Sequence, residues 1–354
     1  RILSNLPYVQ DIIYTSIERD LTVKCFSLNI PKVTHIPLYS SDSKNVYINK
    51  WHDFTRFPEI LTNIILQQNI TMMICRGAPA GALGYLVWKK TKTPFIVESF
   101  EPHGEYMLES GVWEKFDPRY ILESYWEAKQ KRYAAALLPV SLNYAQKLKE
   151  DQTICKTIEV MPCCVSLENF SFQDKFRSAI RSQYRIPNNA VVGIYVGKFG
   201  GIYLDEEAFF IFGEVLSAYS NASLFILSPD DPENIKEKIA GVPKLKSLVI
   251  HIMLIAHNEV PKYLSAADVA FATIKSTPNR KYCSAIKIGE YWANGLPVVI
   301  TPGIGDDSEI IETEGGGVVY SMENPQPAID KVFKMVKLGR VHNINTIVPL
   351  AVKY

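Results

Sequence analysis

The sequence predicts an α/β protein made of two doubly wound, Rossmann-like domains that face each other across a cleft. Three observations predict it. Strand-like and helix-like segments alternate along the chain, as parallel sheets with crossover helices require. The strands are short apolar runs without polar alternation, PVVIT at 297–301 being the clearest, which is the pattern of strands buried on both faces. From Val165 to Asn189 the alternation lapses into SLENFSFQDKFRSAIRSQYRIPNN, and at VVGIYVG it restarts.

Taken in order, the spacing of Leu3, Leu6, Ile13 and Ile17 predicts an amphipathic helix through about Asp20. LTVKCFSL and VTHIPLY, separated by Asn29 and Pro31, predict strands. RFPEILTNIILQQN predicts a helix, and TMMICRG a buried strand ending at Arg76 and Gly77. APAGALGYLVWKK is a helix of small residues, able to pack close to a sheet or a ligand. PFIVESF is the next strand and opens into EPHGEYMLES; the long helix RYILESYWEAKQKRYAAA leads to LLPVS, SLNYAQKLKE and TIEVMPC. The connector contains one short helix.

After it, VVGIYVG, SLFILSP, SLVIHIML and VAFATI read as strands. DEEAFFIFGEVLSAYS, DPENIKEKIAG and EVPKYLSAAD read as the helices between them, the last with Pro261 in its first turn. SAIKIGEYWANG follows as a helix capped by Ser284 and stopped by Gly295 and Pro297. PVVIT, a helix opening at DDSEII, and GGVVY complete the second sheet. The expected division is a first domain over 1–165, a second over 166–330, and a C-terminal helix over 331–354 returning towards the first domain. The opening at Arg1, without an initiator Met, predicts that a first strand and its loop are missing from the first domain. IVPLAVKY reads as cut or disordered beyond Tyr354.

Composition narrows the function classes. Lys plus Arg number 38 against 37 Asp plus Glu, so no electrostatic case exists for nucleic acid as a partner. The six cysteines show no CxxC spacing, and neighbours Cys163 and Cys164 would form a strained disulfide. Reduced thiols in a cytoplasmic protein are the expectation. No apolar run is long enough to span a bilayer, and no signal peptide is expected.

Candidate chemistry gathers in the second half. In VGIYVGKFGGIYLDEEA a strand enters a loop with Lys198, Gly200 and Gly201, where backbone can approach a phosphate and a lysine adds charge. A plain βα turn accounts for the loop as well. Lys287 and Glu290 lie one turn apart on the next functional candidate, and alone they read as a surface ion pair. In the first half His103 follows PFIVESF, open to either a ligand role or satisfaction by Glu101 or Glu105. Arg76 ends a strand at the inferred cleft, as an anion-binding group or as an ion-pair partner of Glu98. The run Glu98, Glu101, Glu105 and Glu109 reads as a solvated face, with no Asp/His cluster to support a metal. Asp268 reads as structural, at a helix end.

VGIYVGKF, HNEVPKYLSAADVAFA and SAIKIGEYWANGLPVVIT, in this order, resemble the C-terminal half of GT-B glycosyltransferases. The nearest match is the large retaining group 1 family that uses nucleotide-activated sugars. MPCCVSLENF is similar to that family's crossover between domains, and K-x-x-E-Y-x-A-x-G-x-P-V-V at 287–299 is the most specific piece. The resemblance implies the following roles. Glu290 would accept the ribose hydroxyls of the nucleotide. The backbone from Ser284 through Ala285, Ile286 and Lys287 to Ile288 would hold the donor diphosphate. Lys198, with Gly200 and Gly201 beside it, would stabilise charge on the leaving nucleoside diphosphate. The loop 252–258 would hold the base, and His103 would face the donor sugar.

Two departures stand out. Tyr282 occupies the place of an acid that often contacts the sugar, and Leu204 that of a second lysine. Arg280, Lys281 and Lys287 are candidates for the missing positive charge. The implied activity is retaining transfer of a glycosyl group from a UDP- or GDP-type sugar, with no permanently bound cofactor and no metal. The acceptor would be a glycan, a lipid-linked molecule or a small molecule, and a lipid-linked one would bring peripheral contact with the inner face of a membrane. The rivals are a sugar-nucleotide 2-epimerase of the same fold and a non-catalytic sugar-nucleotide-binding protein.

Overall fold

The computed structural model describes residues 2–20, 22, 28–40 and 46–354. The predicted strand LTVKCFSL falls largely outside the described residues. In the first domain the elements are β1 (Ile12–Glu18), β2 (Val33–Tyr39), α1 (Val46–Gln67), β3 (Met73–Arg76) and α2 (Gly77–Thr91). There follow β4 (Phe95–Phe100), α3 (His103–Glu109), α4 (Pro118–Tyr133), β5 (Ala136–Pro139) and α5 (Leu142–Glu150). The connector holds α6 (Leu167–Phe170) and α7 (Asp174–Gln183), two helices where one was expected. The second domain runs β6 (Val191–Val196), α8 (Glu206–Leu216), β7 (Ala222–Leu227), α9 (Pro232–Ala240), β8 (Val249–Met253) and α10 (Val260–Ala266). It continues with β9 (Val269–Ala272), α11 (Ile286–Ala293), β10 (Val298–Ile300), α12 (Asp307–Thr313), β11 (Gly317–Val319), α13 (Gln326–Lys337) and α14 (Arg340–Lys353).

The second sheet is parallel throughout, in the order β11-β10-β9-β6-β7-β8. This is the doubly wound order, in which the chain reverses direction across the sheet between β6 and β9. Alternate residues face opposite layers. Ile194, Ala270 and Ile300 pack with residues of α7, α10, α11 and α14. Tyr195, Phe271 and Val299 pack with α8, α9 and α13 on the other face. Burial on both sides is why these strands lack polar alternation. Asp268, just before β9, accepts from Arg177 (2.8 Å), Arg181 (2.6 Å) and the Val192 amide (2.8 Å), so its role is structural.

The first domain departs further from the sequence expectation. Residues 12–18 form a parallel strand paired with β2, not the amphipathic helix that the spacing of Leu3, Leu6, Ile13 and Ile17 suggested. The β-branched run Ile12, Ile13, Thr15 and Ile17 suits a pleated, half-covered surface. A separate sheet has the order β3-β4-β5. Its edge strand β3 is not buried as expected, since Ile74 and Arg76 are exposed.

Side chains of each domain reach into the other. Glu109, at the end of α3, accepts from Thr277 Oγ1 (2.7 Å), the Asn279 amide (3.2 Å) and Asn279 Nδ2 (2.8 Å). In the reverse sense Asp306 accepts from the Leu142 and Asn143 amides (2.5 and 3.1 Å) and from Asn143 Nδ2 (2.9 Å). Tyr282 of the second domain is buried in the core of the first, its ring 5.2 Å from that of Tyr144. Glu109→Ala removes one acceptor from three donors and should lower the unfolding free energy by about 1–2 kcal/mol. A urea titration reads the loss, and Glu109→Gln should recover part of it.

Candidate functional site

At the reversal point β6 and β9 stay paired up to Tyr195 and Phe271, one residue short of their carboxyl ends, and α11 packs against this end of the sheet. Tyr291 fastens this helix there. Its hydroxyl accepts from the Val196 amide (3.1 Å) and donates to the Phe271 carbonyl (3.4 Å), one on each of the two neighbouring strands. Lys287 and Glu290 are thereby held at the crevice.

These two residues are not the surface ion pair that their spacing alone suggested. The Lys287 ammonium is buried without a hydrogen-bond partner among the described residues. It lies 4.2 Å from the ring centroid of Tyr203 and 5.1 Å from that of Tyr195. Burial pushes its pKa down to about 8, opposed in part by the charge of Glu290. Gly197, the residue after β6, makes room for it, since a Cβ at that position would sit 2.8 Å from Lys287 Nζ. Glu290 is buried, and burial raises its carboxyl above the ordinary range. His257 Nε2 stands 3.0 Å from Glu290 Oε1 and counters that shift. His257 belongs to the 252–258 loop assigned to the base. As a partner of Glu290 it was missed, because a single histidine in HNE carries no local motif.

The loop after β6 turns through Gly200 and Gly201, both in the left-handed region with φ of 74° and 61°. No atom lies within 4 Å of a Cβ built at either. The Phe199 amide is already taken by Asp230 (2.6 Å), whereas Lys198 is exposed and forms no ion pair with a described residue. At the start of α11, Ser284 does not cap as expected; its hydroxyl accepts from the Cys163 amide (3.1 Å), tying the connector to the site. No side chain of a described residue caps α11. The amides of Ile286 and Lys287 have no partner among the described residues, and that of Ala285 meets Asp307 only at 3.5 Å. Ile288 is the exception in the predicted stretch, its amide used by the Ala285 carbonyl (2.9 Å). An uncapped helix start beside a buried ammonium is a site for an anion.

Elsewhere the expected residues divide. Tyr282 is packed against Tyr144 and buried, so its hydroxyl-bearing ring serves the seam between domains. Arg76 pairs with Glu98 at 2.8 Å and is 71% exposed, which is the ion-pair alternative and a weak one energetically. His103 is the first residue of α3, its ring set edge-on to Trp113 at 5.7 Å. The acidic run is not a solvated face: Glu105 accepts from Tyr120 (2.7 Å), Glu109 bridges to the second domain, and Glu101 is half-buried with its carboxyl raised by burial. Among the described residues no group of His, Cys, Asp and Glu could hold a metal ion. Burial holds the Cys283 thiol up at about 12 and raises that of Cys163, so neither is an activated nucleophile. No helix of the described residues is long and apolar enough to cross a membrane.

Residues 194–337 match the family model described as Glycosyl transferases group 1. No curated protein matches the chain in sequence. Among solved structures, the chain superposes on a sucrose-phosphate synthase from Thermosynechococcus elongatus with a TM-score of 0.71 and 15% identity, over 96% of this chain and 86% of that one. HepE from Anabaena in complex with UDP-glucose gives 0.67 and 10%, over 90% and 81% of the two chains. The E. coli trehalose-6-phosphate synthase bound with UDP-2-fluoro glucose gives 0.67 and 12%, over 96% and 88%. The fold is GT-B, two Rossmann-like domains on either side of a cleft.

Proposed function

We propose that this GT-B protein, whose second domain matches the group 1 model, is a glycosyltransferase that uses a nucleoside-diphosphate sugar. The observation that carries the reading is the juxtaposition on α11 of a buried ammonium, Lys287, that has no hydrogen-bond partner among the described residues, and a buried carboxylate, Glu290, at the reversal point of the sheet. A diphosphate supplies the negative charge that Lys287 and the uncapped helix start lack. A ribose offers Glu290 two hydroxyl donors at a fixed spacing. The nucleoside diphosphate therefore meets one cation and one carboxylate a single helical turn apart.

In this reading the donor is a UDP- or GDP-type sugar, and the products are a glycosylated acceptor and the free nucleoside diphosphate. As the glycosidic bond to the β-phosphate breaks, negative charge grows on the departing diphosphate. Lys287, the helix start and the exposed Lys198 stabilise it without a proton transfer. The transfer proceeds with retention of configuration, with His103 on the sugar side and the first domain holding a glycan, lipid-linked or small-molecule acceptor. The nucleotide complexes of HepE and of the trehalose-6-phosphate synthase support a UDP donor in particular.

Calorimetric titration with UDP and GDP tests the reading. Micromolar binding of one of them is expected, and no binding of either overturns it. Lys198→Ala should lower turnover by about 10–100-fold, the range for loss of one charge-assisted contact that strengthens in the transition state. Its melting temperature should stay within a degree of the parent, because the side chain is exposed. Product analysis with a UDP-sugar and no acceptor separates transfer from 2-epimerisation, which would yield the epimeric sugar nucleotide.

A further inference from the structure

Helix α4 turns polar residues inward and apolar residues outward. Glu123, Glu127 and Gln130 are three or four positions apart, so they share one face, and all three are buried. Two of them fasten the helix: Glu127 accepts from the Gly104 amide (3.1 Å), and Gln130 donates to the Ala78 carbonyl (2.9 Å). Ile121, Leu122 and Tyr125 lie on the opposite face and are 56%, 46% and 48% exposed. The loop before α4 adds Val112 and Phe116, the latter 85% exposed. Apolar side chains gathered on one side of a helix, and not scattered singly, mark a surface that meets a partner.

The far end of this face is aromatic and cationic. The Tyr125 and Trp126 rings lie 4.9 Å apart, and the Tyr133 ring lies 4.9 Å from that of Trp88 on α2. Lys129 stands over Tyr125 (4.9 Å), Arg132 over Tyr133 (5.5 Å) and Lys92 over Trp88 (4.6 Å). Lys89 and Lys90 are exposed beside them. Of these five cations only Lys90 meets a carboxylate among the described residues, Glu59 at 3.8 Å. The carboxylates of α4 are the two buried ones, and α2 has none.

Charge and apolarity together select the partner. A polyanion would match the cations and leave Ile121, Leu122 and Phe116 in water. A second copy would cover those side chains but set cations against cations. An anionic bilayer accepts both, with apolar tips in the headgroup boundary, Trp and Tyr rings at headgroup level, and Lys and Arg reaching lipid phosphates. We propose that the outward faces of α4 and the end of α2 dock this protein on an anionic phospholipid bilayer. Val112 is three residues from Glu109, which bonds to Thr277 and Asn279, so the docked face reaches the seam between the domains. The proposal goes beyond the nucleotide-sugar reading and does not rest on it: loss of either leaves the other standing.

The test is co-sedimentation of the whole chain with vesicles of pure phosphatidylcholine and of equimolar phosphatidylcholine and phosphatidylglycerol. The parent should bind the anionic vesicles roughly tenfold or more tightly than the neutral ones, and added salt should weaken that binding. Lys89→Gln, Lys92→Gln and Arg132→Gln combined should cost about 100-fold, because each cation at an anionic surface is worth about fivefold. Ile121→Gln with Leu122→Gln should cost about tenfold. Melting temperatures of both variants should stay within about two degrees of the parent, because all five side chains are exposed. Absence of binding to either vesicle overturns the proposal, as does binding that both sets of substitutions leave unchanged. A lipid-free dimer in light scattering that Ile121→Gln with Leu122→Gln dissociates also overturns it, and assigns the face to a second copy.

Discussion

Lys287→Met should nearly abolish nucleoside-diphosphate binding and at the same time make the unliganded protein more stable. The buried ammonium has no hydrogen-bond partner among the described residues, so loss of its charge-assisted bonds to the diphosphate should cost about 30–100-fold in affinity. Burial holds its folded-state pKa at about 8 against an ordinary 10.5. The unfolded chain therefore binds more protons than the folded one between those values, and stability rises with pH across that window. Below about pH 8 the charged form is buried at a cost of up to about 3 kcal/mol, from the conversion of 1.36 kcal/mol per unit. Methionine keeps the aliphatic stem and removes that cost, so the melting temperature at pH 7 should rise by several degrees. In the parent, nucleotide affinity should decline by up to tenfold per pH unit above pH 8, as the free protein loses the proton that the complex needs. A variant that loses binding and also melts earlier would show that Lys287 is structural.

Glu290→Ala should weaken UDP or GDP binding by 100-fold or more, since it deletes the acceptor of two hydroxyls inside a buried site. Glu290→Gln keeps the shape and one acceptor, and should lose about tenfold. The cleanest control is a nucleotide whose ribose hydroxyls are absent. The parent should bind 2′,3′-dideoxy-UDP about as poorly as Glu290→Ala binds UDP, and the variant should not distinguish the two ligands. Equal loss for both ligands in the variant would assign the effect to the helix and not to ribose recognition. His257→Ala should have a smaller effect, because its ring is exposed and touches only one carboxylate oxygen.

The second domain was legible because its strands are central. VVGIYV, ASLFIL and VAFA are buried on both faces, so composition alone marks them, and Gly295 and Pro297 stop α11 where the helix ends. The first domain's strands are short or half-covered, and there apolar spacing is ambiguous. Ile13 and Ile17 fit one face of a helix as well as one face of a strand, and only the pairing of Ile12–Glu18 with Val33–Tyr39 decides it. Within the site, Glu290 and Lys287 could be named from K-x-x-E-Y. Their burial could not, because it follows from how Tyr291 draws α11 against two neighbouring strands, β6 and β9. His257 meets Glu290 only through the tertiary fold, 33 residues apart in sequence, and Ser284 lost its expected capping role to a contact 121 residues away in sequence.

The burial of Tyr282 among Phe100, Tyr106 and Tyr144 has a consequence for recombination. In sequence, the border between the halves falls in the connector; in space, the short segment around Arg280–Tyr282 belongs to the first half. A chimera that exchanges the first domain for that of a relative would set Tyr282 against a cavity shaped for another side chain. Swaps meant to change the acceptor should therefore carry residues 277–283 along with the first domain, together with Asp306, whose partners Leu142 and Asn143 are left behind otherwise.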